Sequence, residues 1–321
     1  MHRIIYAFLV ASVVFSGPVV SGVATYILPP LDEQLIGSVQ YVSARRDETL
    51  LDIARRHGVG HNEIKLANPG VDMWLPGEGT QVLLPTRYIL PDAPREGIVL
   101  NVPEMRLYYY PKPQPGERPV VQTYPISIGR GDWETPLGTT TVVTKTPNPT
   151  WRPPESIKQE HAARGEPLPD AVPPGPDNPL GKYALRLGLP GYLIHGTNRP
   201  FGIGMRVTHG CVRMYPEDID VLFEEVAVGT PVHIVHQPFK IGWALGIPYF
   251  EAHPPFGEDQ TPNTAANLTP IIRTLIRYGG AIEAIDFQVA QKEARAPTGV
   301  PLPVAAVHQS ASRIPPSSGT H

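Results

Sequence analysis

Only one cysteine occurs in the 321 residues, and it lies in the run VTHGCVRM, Val207 to Met214. His209 stands two residues before Cys211, Gly210 one before and Arg213 two after. Small, polar and basic neighbours are expected to favour thiolate over thiol and to leave backbone N–H groups approachable, which is what a nucleophile and a developing oxyanion require. A second histidine, His195, precedes Cys211 by sixteen residues, and Gly202 and Gly204 in between allow the chain to fold back beside the thiol. His195 and His209 are both candidate bases, and spacing alone does not choose between them. Backbone N–H groups around Gly210–Val212 are candidate oxyanion donors. Arg213 and Arg206 are candidates to hold a substrate carboxylate, with Tyr183 as a further substrate contact.

The same residues invite a metal reading, in which His195, His209 and Cys211 bind zinc together with His233 or His236. No acidic ligand and no H-x-x-x-H spacing accompany them, and a glycine directly before the cysteine suits an exposed nucleophile better. Zinc is therefore not expected, and His233 and His236 read as surface or packing residues on a strand.

The amino terminus says which compartment the thiol meets. His2 and Arg3 precede an apolar run from Ile4 to Val14, and small residues (Ser21, Gly22, Val23, Ala24) follow. That order predicts a secretory signal over residues 1–24 with cleavage near Ala24. An uncleaved anchor is the alternative, but Gly17, Pro18, Ser21 and Gly22 interrupt a run that would need roughly 20 apolar residues to span a bilayer. No later stretch is long and apolar enough, so no stable transmembrane helix is expected after cleavage. Exported cysteines pair into disulfides; a lone one has no partner within its chain. The formal net charge of −3 gives no electrostatic reason to expect nucleic acid.

The positioning elements follow from composition and period. Forty prolines and 30 glycines predict many turns, short strands and long ordered loops. Residues 40–86 read as a β-α-α-β unit: a strand at Tyr41–Ala44, a helix near Thr49–Gly58 capped by Thr49 or Asp47, a helix near Asn62–Ala67 and a strand at Gln81–Leu84. Residues 97–236 are strand-rich. GIVLNVPEMRLYYYPK reads as a hairpin with Ile98, Leu100, Val102, Leu107 and Tyr109 alternating, and YLIHG as a strand delivering His195 at its end. YPEDIDVLFEEVAVG reads as a helix begun by Pro216 and stopped by Gly229. Between strands, Thr146 to Gly181 is too long and too rich in Pro and Gly for a plain connection. It carries one helix candidate, Glu155–Arg164, and is expected to roof the site, anchored by Trp151 and Leu180. Residues 237–295 form an extension with a late strand in IPYFEAHPPF and helices at Leu268–Tyr278 and Ile285–Arg295; residues 296–321 read as a mobile tail.

The run from His195 to Met214, H-G-T-N-x-x-x-x-x-G-x-x-x-[ST]-H-G-C-[VI]-R-[ML], resembles the signature of YkuD-type L,D-transpeptidases, with Thr208 at the position where many members have Ser. EMRLYYYP, TPLG, PPGPDNPLGKYALRL and ANPGVDMWLP further resemble the periplasmic ErfK/YbiS branch. DETLLDIA, Asn68 and VLLP make residues 40–86 similar to a LysM module, a small peptidoglycan-binding fold, with Arg46 where that pattern has glycine. The resemblance implies a mostly β catalytic domain, a YkuD-like β-sandwich or barrel with one or two helices, beside a LysM-like unit, in the periplasm of a Gram-negative bacterium. It implies Cys211 as nucleophile on a peptidoglycan tetrapeptide stem, His195 as proton acceptor and donor oriented by the Gly196 carbonyl, His209 and Gly210 shaping the oxyanion site, and Arg213 steadying substrate. The implied acceptor is the C-terminal lysine of an outer-membrane lipoprotein, and no metal or organic cofactor is required. Formation of 3→3 crosslinks and L,D-carboxypeptidase action are the enzymatic alternatives. An inert wall-binding protein is countered by the intact His195, Gly210, Cys211 and Arg213, and a protein endopeptidase by the lack of any recognisable peptidase motif.

Overall fold

The computed structural model describes residues 23–254 and 284–306, together with Thr269, Ile272, Leu275 and Ile276. The expected signal segment lies almost wholly outside the described residues, as do most of the expected helix Leu268–Tyr278 and the end of the tail. No described helix is long and apolar enough to cross a membrane.

Strands β1 (Ala24–Ile27) and β2 (Leu35–Gly37) lead into β3 (Gln40–Ser43), α1 (Leu50–Arg56), α2 (His61–Ala67) and β4 (Gln81–Leu84). Thr49 starts α1 through a capping box: its hydroxyl accepts from Asp52 N–H at 3.1 Å while Asp52 accepts from Thr49 N–H at 3.0 Å. Leu50, Ile53 and Ala54 then face Val59, Ile64, Val82 and Leu84 in a small core of their own. The Asn68 side chain ends α2 by donating to Ile64 O and Leu83 O and accepting from Leu83 N–H, which ties the helix to β4.

Next come β5 (Arg87–Ile89), β6 (Gly97–Asn101), β7 (Arg106–Tyr110), β8 (Val120–Gly129), β9 (Gly138–Pro147) and α3 (Glu155–Ala163). They are followed by β10 (Tyr183–Leu187), β11 (Leu193–His195), β12 (Arg206–Thr208), β13 (Val212–Met214), α4 (Pro216–Glu225) and β14 (Pro231–Val235). The protein is mostly β. Its main sheet runs β8-β13-β11-β10-β9-β14-β6-β7 and closes where β7 pairs back onto β8, with β1 and β12 as further partners of β8. Closure removes the exposed edges that an open sheet would present. The interior holds Ile98, Leu100, Leu107, Ile126, Leu185, Ile194, Val212 and Val232, and α4 adds Ile219, Leu222 and Phe223.

Two details differ from the sequence reading. Alternation in the β6–β7 hairpin places Ile98, Leu100, Leu107 and Tyr109 inward as expected, but Val99, Tyr108 and Tyr110 on the other face are buried too, in a second cluster with Ile36, Tyr88 and Val121. Helix α4 ends at Glu225 rather than at Gly229, because Val226 is extended and fully buried, pulled into the barrel interior.

Strands β15 (Phe239–Ala244) and β16 (Ile247–Ala252), helix α5 (Phe287–Arg295) and β17 (Leu302–Pro303) pack into another cluster around Phe239, Phe250 and Ala290. Part of the expected tail is thus strand, since β17 pairs with β16. Buried charges join this extension to the barrel: Lys240 Nζ lies 2.8 Å from both Glu104 and Glu251, and Glu251 also accepts from Ile89 N–H at 2.7 Å.

The β3-α1-α2-β4 unit is seated on the barrel. Arg106, fully buried, forks onto both oxygens of Glu63 at 2.7 Å, and Arg55 does the same to Glu217 at 2.8 and 2.9 Å. The first two N–H groups of α2, from His61 and Asn62, donate to Ile203 O at 2.8 Å and Gly204 O at 3.2 Å. Gly204 permits this approach: at φ +87° it takes a left-handed conformation, and a Cβ there would lie 2.3 Å from His61 N.

Candidate active site

Strand register decides what His195 and Cys211 can do. β11 and β13 run parallel with Ile194 opposite Val212 and His195 opposite Arg213. Ile194, Val212 and Met214 fill the barrel interior. By the two-residue period of a strand, His195, Cys211 and Arg213 therefore share the opposite face, with the cysteine one step before β13.

His195 is almost fully buried at the end of β11. Its Nδ1 is 2.7 Å from Gly196 O. A carbonyl only accepts, so Nδ1 carries the hydrogen and Nε2 is left as the basic nitrogen. Burial, reinforced by the nearby Arg213 charge, pushes the imidazole down to about 3 against the opposing pull of the Gly196 and Leu180 carbonyls. The ring is neutral at ordinary pH.

Cys211 reverses one expectation. The sequence surroundings suggested a thiolate, but burial pushes the thiol up from its ordinary value, and the Leu193 N–H and Arg213 only partly offset this. The resting sulfur is a thiol directed at Gly191 O, 3.6 Å away, and makes no hydrogen bond to His195. The pair at rest is thus neutral base and neutral acid, one strand apart.

The turn before the thiol is tightly specified. Gly210 has φ +95°, and a Cβ there would sit 2.6 Å from the Tyr192 ring. Thr208 Oγ1 donates to Cys211 O at 2.6 Å and accepts from Gly210 N–H at 3.2 Å, while Thr135 Oγ1 donates to Gly210 O at 2.9 Å. Threonine at 208 keeps the hydroxyl that this turn uses.

The remaining predicted residues fall in different places. His209 turns away from the thiol: its Nε2 is 2.9 Å from Glu160 of α3, and Trp133 meets its ring edge-on at 5.2 Å between centroids. Arg213 is largely buried with Nε lacking any hydrogen-bond partner, a donor directed at the face shared with Cys211. Arg206 approaches Gly129 O at 3.4 Å. Tyr183 lies on the other face. It shares the inward parity of Leu185 and Leu187, and its ring stacks on Phe223 at 4.2 Å, on the face opposite His195. The zinc set is not gathered either. His233 lies on β14 against Thr139, and the one group of three potential metal-binding side chains among the described residues is Glu104, Glu251 and His253, around Lys240.

Residues 148–181 do reach the site. Trp151 bridges to Val172, the buried Asn178 amide donates to the carbonyls of Pro149, Val172 and Pro173, and α3 brings Glu160 to His209. Where this insertion meets the exit of β11 it leaves a cleft of about 280 Å³ between Pro174–Pro176, Lys182, Thr197 and Asn198. Sequence reading missed Glu160, Thr135 and Trp133. Only the helix period around Glu155–Arg164 hinted that a charged face was being presented.

Comparison with known proteins matches residues 95–234 to the YkuD family, described as the L,D-transpeptidase catalytic domain. The chain is 45% identical over 240 residues to the probable L,D-transpeptidase YcfS of Escherichia coli, covering 73% of this chain and 74% of that one. It is 40% identical over 289 residues to the probable L,D-transpeptidase ErfK/SrfK of the same organism, covering 87% and 90%. To the probable L,D-transpeptidase YbiS it is 44% identical over 254 residues, covering 78% and 81%.

Proposed function

The chain belongs to the YkuD family of L,D-transpeptidases, and from that premise we propose that Cys211 is its nucleophile, His195 its general base and acid, and a peptidoglycan tetrapeptide stem its acyl donor. The observation that carries this reading is the register of β11 against β13, which puts a neutral imidazole on the same face as the only thiol. As Sγ attacks the carbonyl of the diaminopimelate residue at position three, its proton passes to His195 Nε2. The C–N bond then breaks, the departing D-alanine amine takes that proton, and a thioester remains. An acceptor amine attacks the thioester, gives its proton to His195, and releases an amide and the free thiol.

The Cys211 N–H, beside the fixed Gly210 turn, serves as an oxyanion donor, and the Arg213 guanidinium, on the same face as the thiol, holds a substrate oxygen. Gly196 orients the base through its carbonyl. His209 supports the turn from its far side.

The acceptor is the C-terminal lysine of an outer-membrane lipoprotein, a reading that rests on similarity to the ErfK/SrfK and YbiS relatives extending beyond the catalytic domain. The enzyme works in the periplasm. The β3-α1-α2-β4 unit is LysM-like and grips glycan; its exposed Tyr41, Trp74 and Leu75 support this, since aromatic faces exposed to water suit sugar rings. Mass spectrometry of protein incubated with a disaccharide-tetrapeptide, with and without a peptide ending in lysine, tests the reading. Loss of D-alanine with a new amide to lysine, absent in Cys211→Ala, is the expected result. Stem dimers alone would move the acceptor to a second stem, and free tripeptide alone would make the enzyme a carboxypeptidase.

A further inference from the structure

One carboxylate outside the proposed chemistry joins three segments around the thiol. Glu160, on α3 of the insertion, accepts from Arg130 Nη2 at 2.6 Å and His209 Nε2 at 2.9 Å on one oxygen and from Arg164 on the other. Arg130 and His209 hold it down at about 2, so it is ionised and only accepts. His209 Nε2 must then be the donor, which fixes the plane of the ring.

Two of these partners, Arg130 and His209, lead on towards the thiol. Arg130 N–H donates to Thr208 O at 3.1 Å, and Trp133, whose N–H donates to Arg130 O at 2.8 Å, closes on the His209 ring. Thr208 in turn clamps the Cys211 carbonyl, and Thr135 from the same β8–β9 connection clamps Gly210. Elsewhere the insertion is tied down at its base, where Asn198 Nδ2 donates to Asp177 O at 3.1 Å and Asn148 N–H to Lys182 O at 2.7 Å, while Asn178 bonds carbonyls of the insertion itself.

We propose that Glu160 is a positioning residue for acyl transfer: by holding His209 and Arg130 it fixes the Thr208–Cys211 turn and latches the insertion over the thiol. This rests on the assignment of Cys211 as nucleophile. The full chain is compared as wild type, E160A, E160Q, K158A and C211A. K158A serves as the control, because Lys158, on the same helix as Glu160, pairs with the exposed Asp170 beyond the helix end and touches nothing at the site.

Expected for E160A is a fall in kcat of about tenfold or more with KM moved less, as displacement of a positioned nucleophile produces, and alkylation of Cys211 by iodoacetamide several-fold faster as the insertion unlatches. E160Q keeps an oxygen that accepts from His209 and should recover most of both, while K158A should match wild type in both. Wild-type kcat and alkylation in E160A, a raised kcat, or equal losses in E160A, E160Q and K158A would overturn the role of Glu160. Transfer surviving in C211A would instead overturn the nucleophile itself, so the two failures are distinguishable.

Discussion

The protonation state of the resting site gives the sharpest test of the mechanism. Burial raises the Cys211 thiol above its ordinary value of 9.0, and His195 is held down at about 3. At pH 7 a thiol at the ordinary value is about 1% thiolate, and Cys211 must lie below that. The site therefore differs from a cysteine–histidine ion pair, in which the thiolate is already formed and reactivity is flat across neutral pH. Iodoacetamide reacts with the thiolate alone, so its second-order rate with Cys211 should climb about tenfold per pH unit from pH 6 to 9 without a plateau. Single-cysteine chemistry makes the assay clean, since all label must sit at Cys211. Replacing His195 with Asn should leave this slope unchanged, because the imidazole is not a charged partner at rest, while abolishing transfer. A plateau between pH 5 and 8 that disappears in the His195 variant would refute the neutral pair.

Other parts of the structure make independent predictions. Asp218, in the first turn of α4, is pushed up to about 7 by burial and by Glu217, and its Oδ2 has no partner. In the unfolded chain it ionises from 3.8, so stability is lost as pH rises from 3.8 to 7 and stays lost above. The gap of roughly three pH units is worth at most ~4 kcal/mol. Asp218→Asn should raise Tm at pH 8 and lose that advantage by pH 4, as thermal melts at the two values will show. Gly210→Ala forces a side chain into the left-handed region and onto the Tyr192 ring. It should cost about 1–3 kcal/mol in denaturant melts from strain alone, with transfer activity falling further than stability. Glu63→Ala leaves the Arg106 charge buried and unpaired, and should cost about 3–5 kcal/mol and increase proteolytic cleavage between β4 and β5.

Much of the site was readable because its signals are local. The cysteine, the glycine before it and the sixteen-residue return to His195 sit in one short run, and the capping box of α1 and the helix in the insertion follow from neighbours a few residues apart. Failures came where the answer depends on what packs from elsewhere. The charge state of Cys211 was judged from polar neighbours in sequence, whereas protein packed around the partly exposed cysteine pushes the thiol up. Tyr183 lies twelve residues before His195, but the pairing of Ala184 with His195 puts the tyrosine on the other face; the alternation with Leu185 and Leu187 held that information. Glu160 is 49 residues from His209, and Glu63 is 43 from Arg106. No periodicity links such pairs, since a buried ion pair is specified by tertiary approach alone.

The seating of α2 against Ile203 and Gly204 has a consequence for how the two units cooperate. A module on a flexible tether raises the local concentration of what it grips and leaves the offset free. Here the unit's own backbone braces the loop that separates His195 from Cys211, and two forked ion pairs stop it from pivoting. A polymer held by this unit would be presented to the thiol at a constant spacing, as along a ruler and not as by a hook on a line.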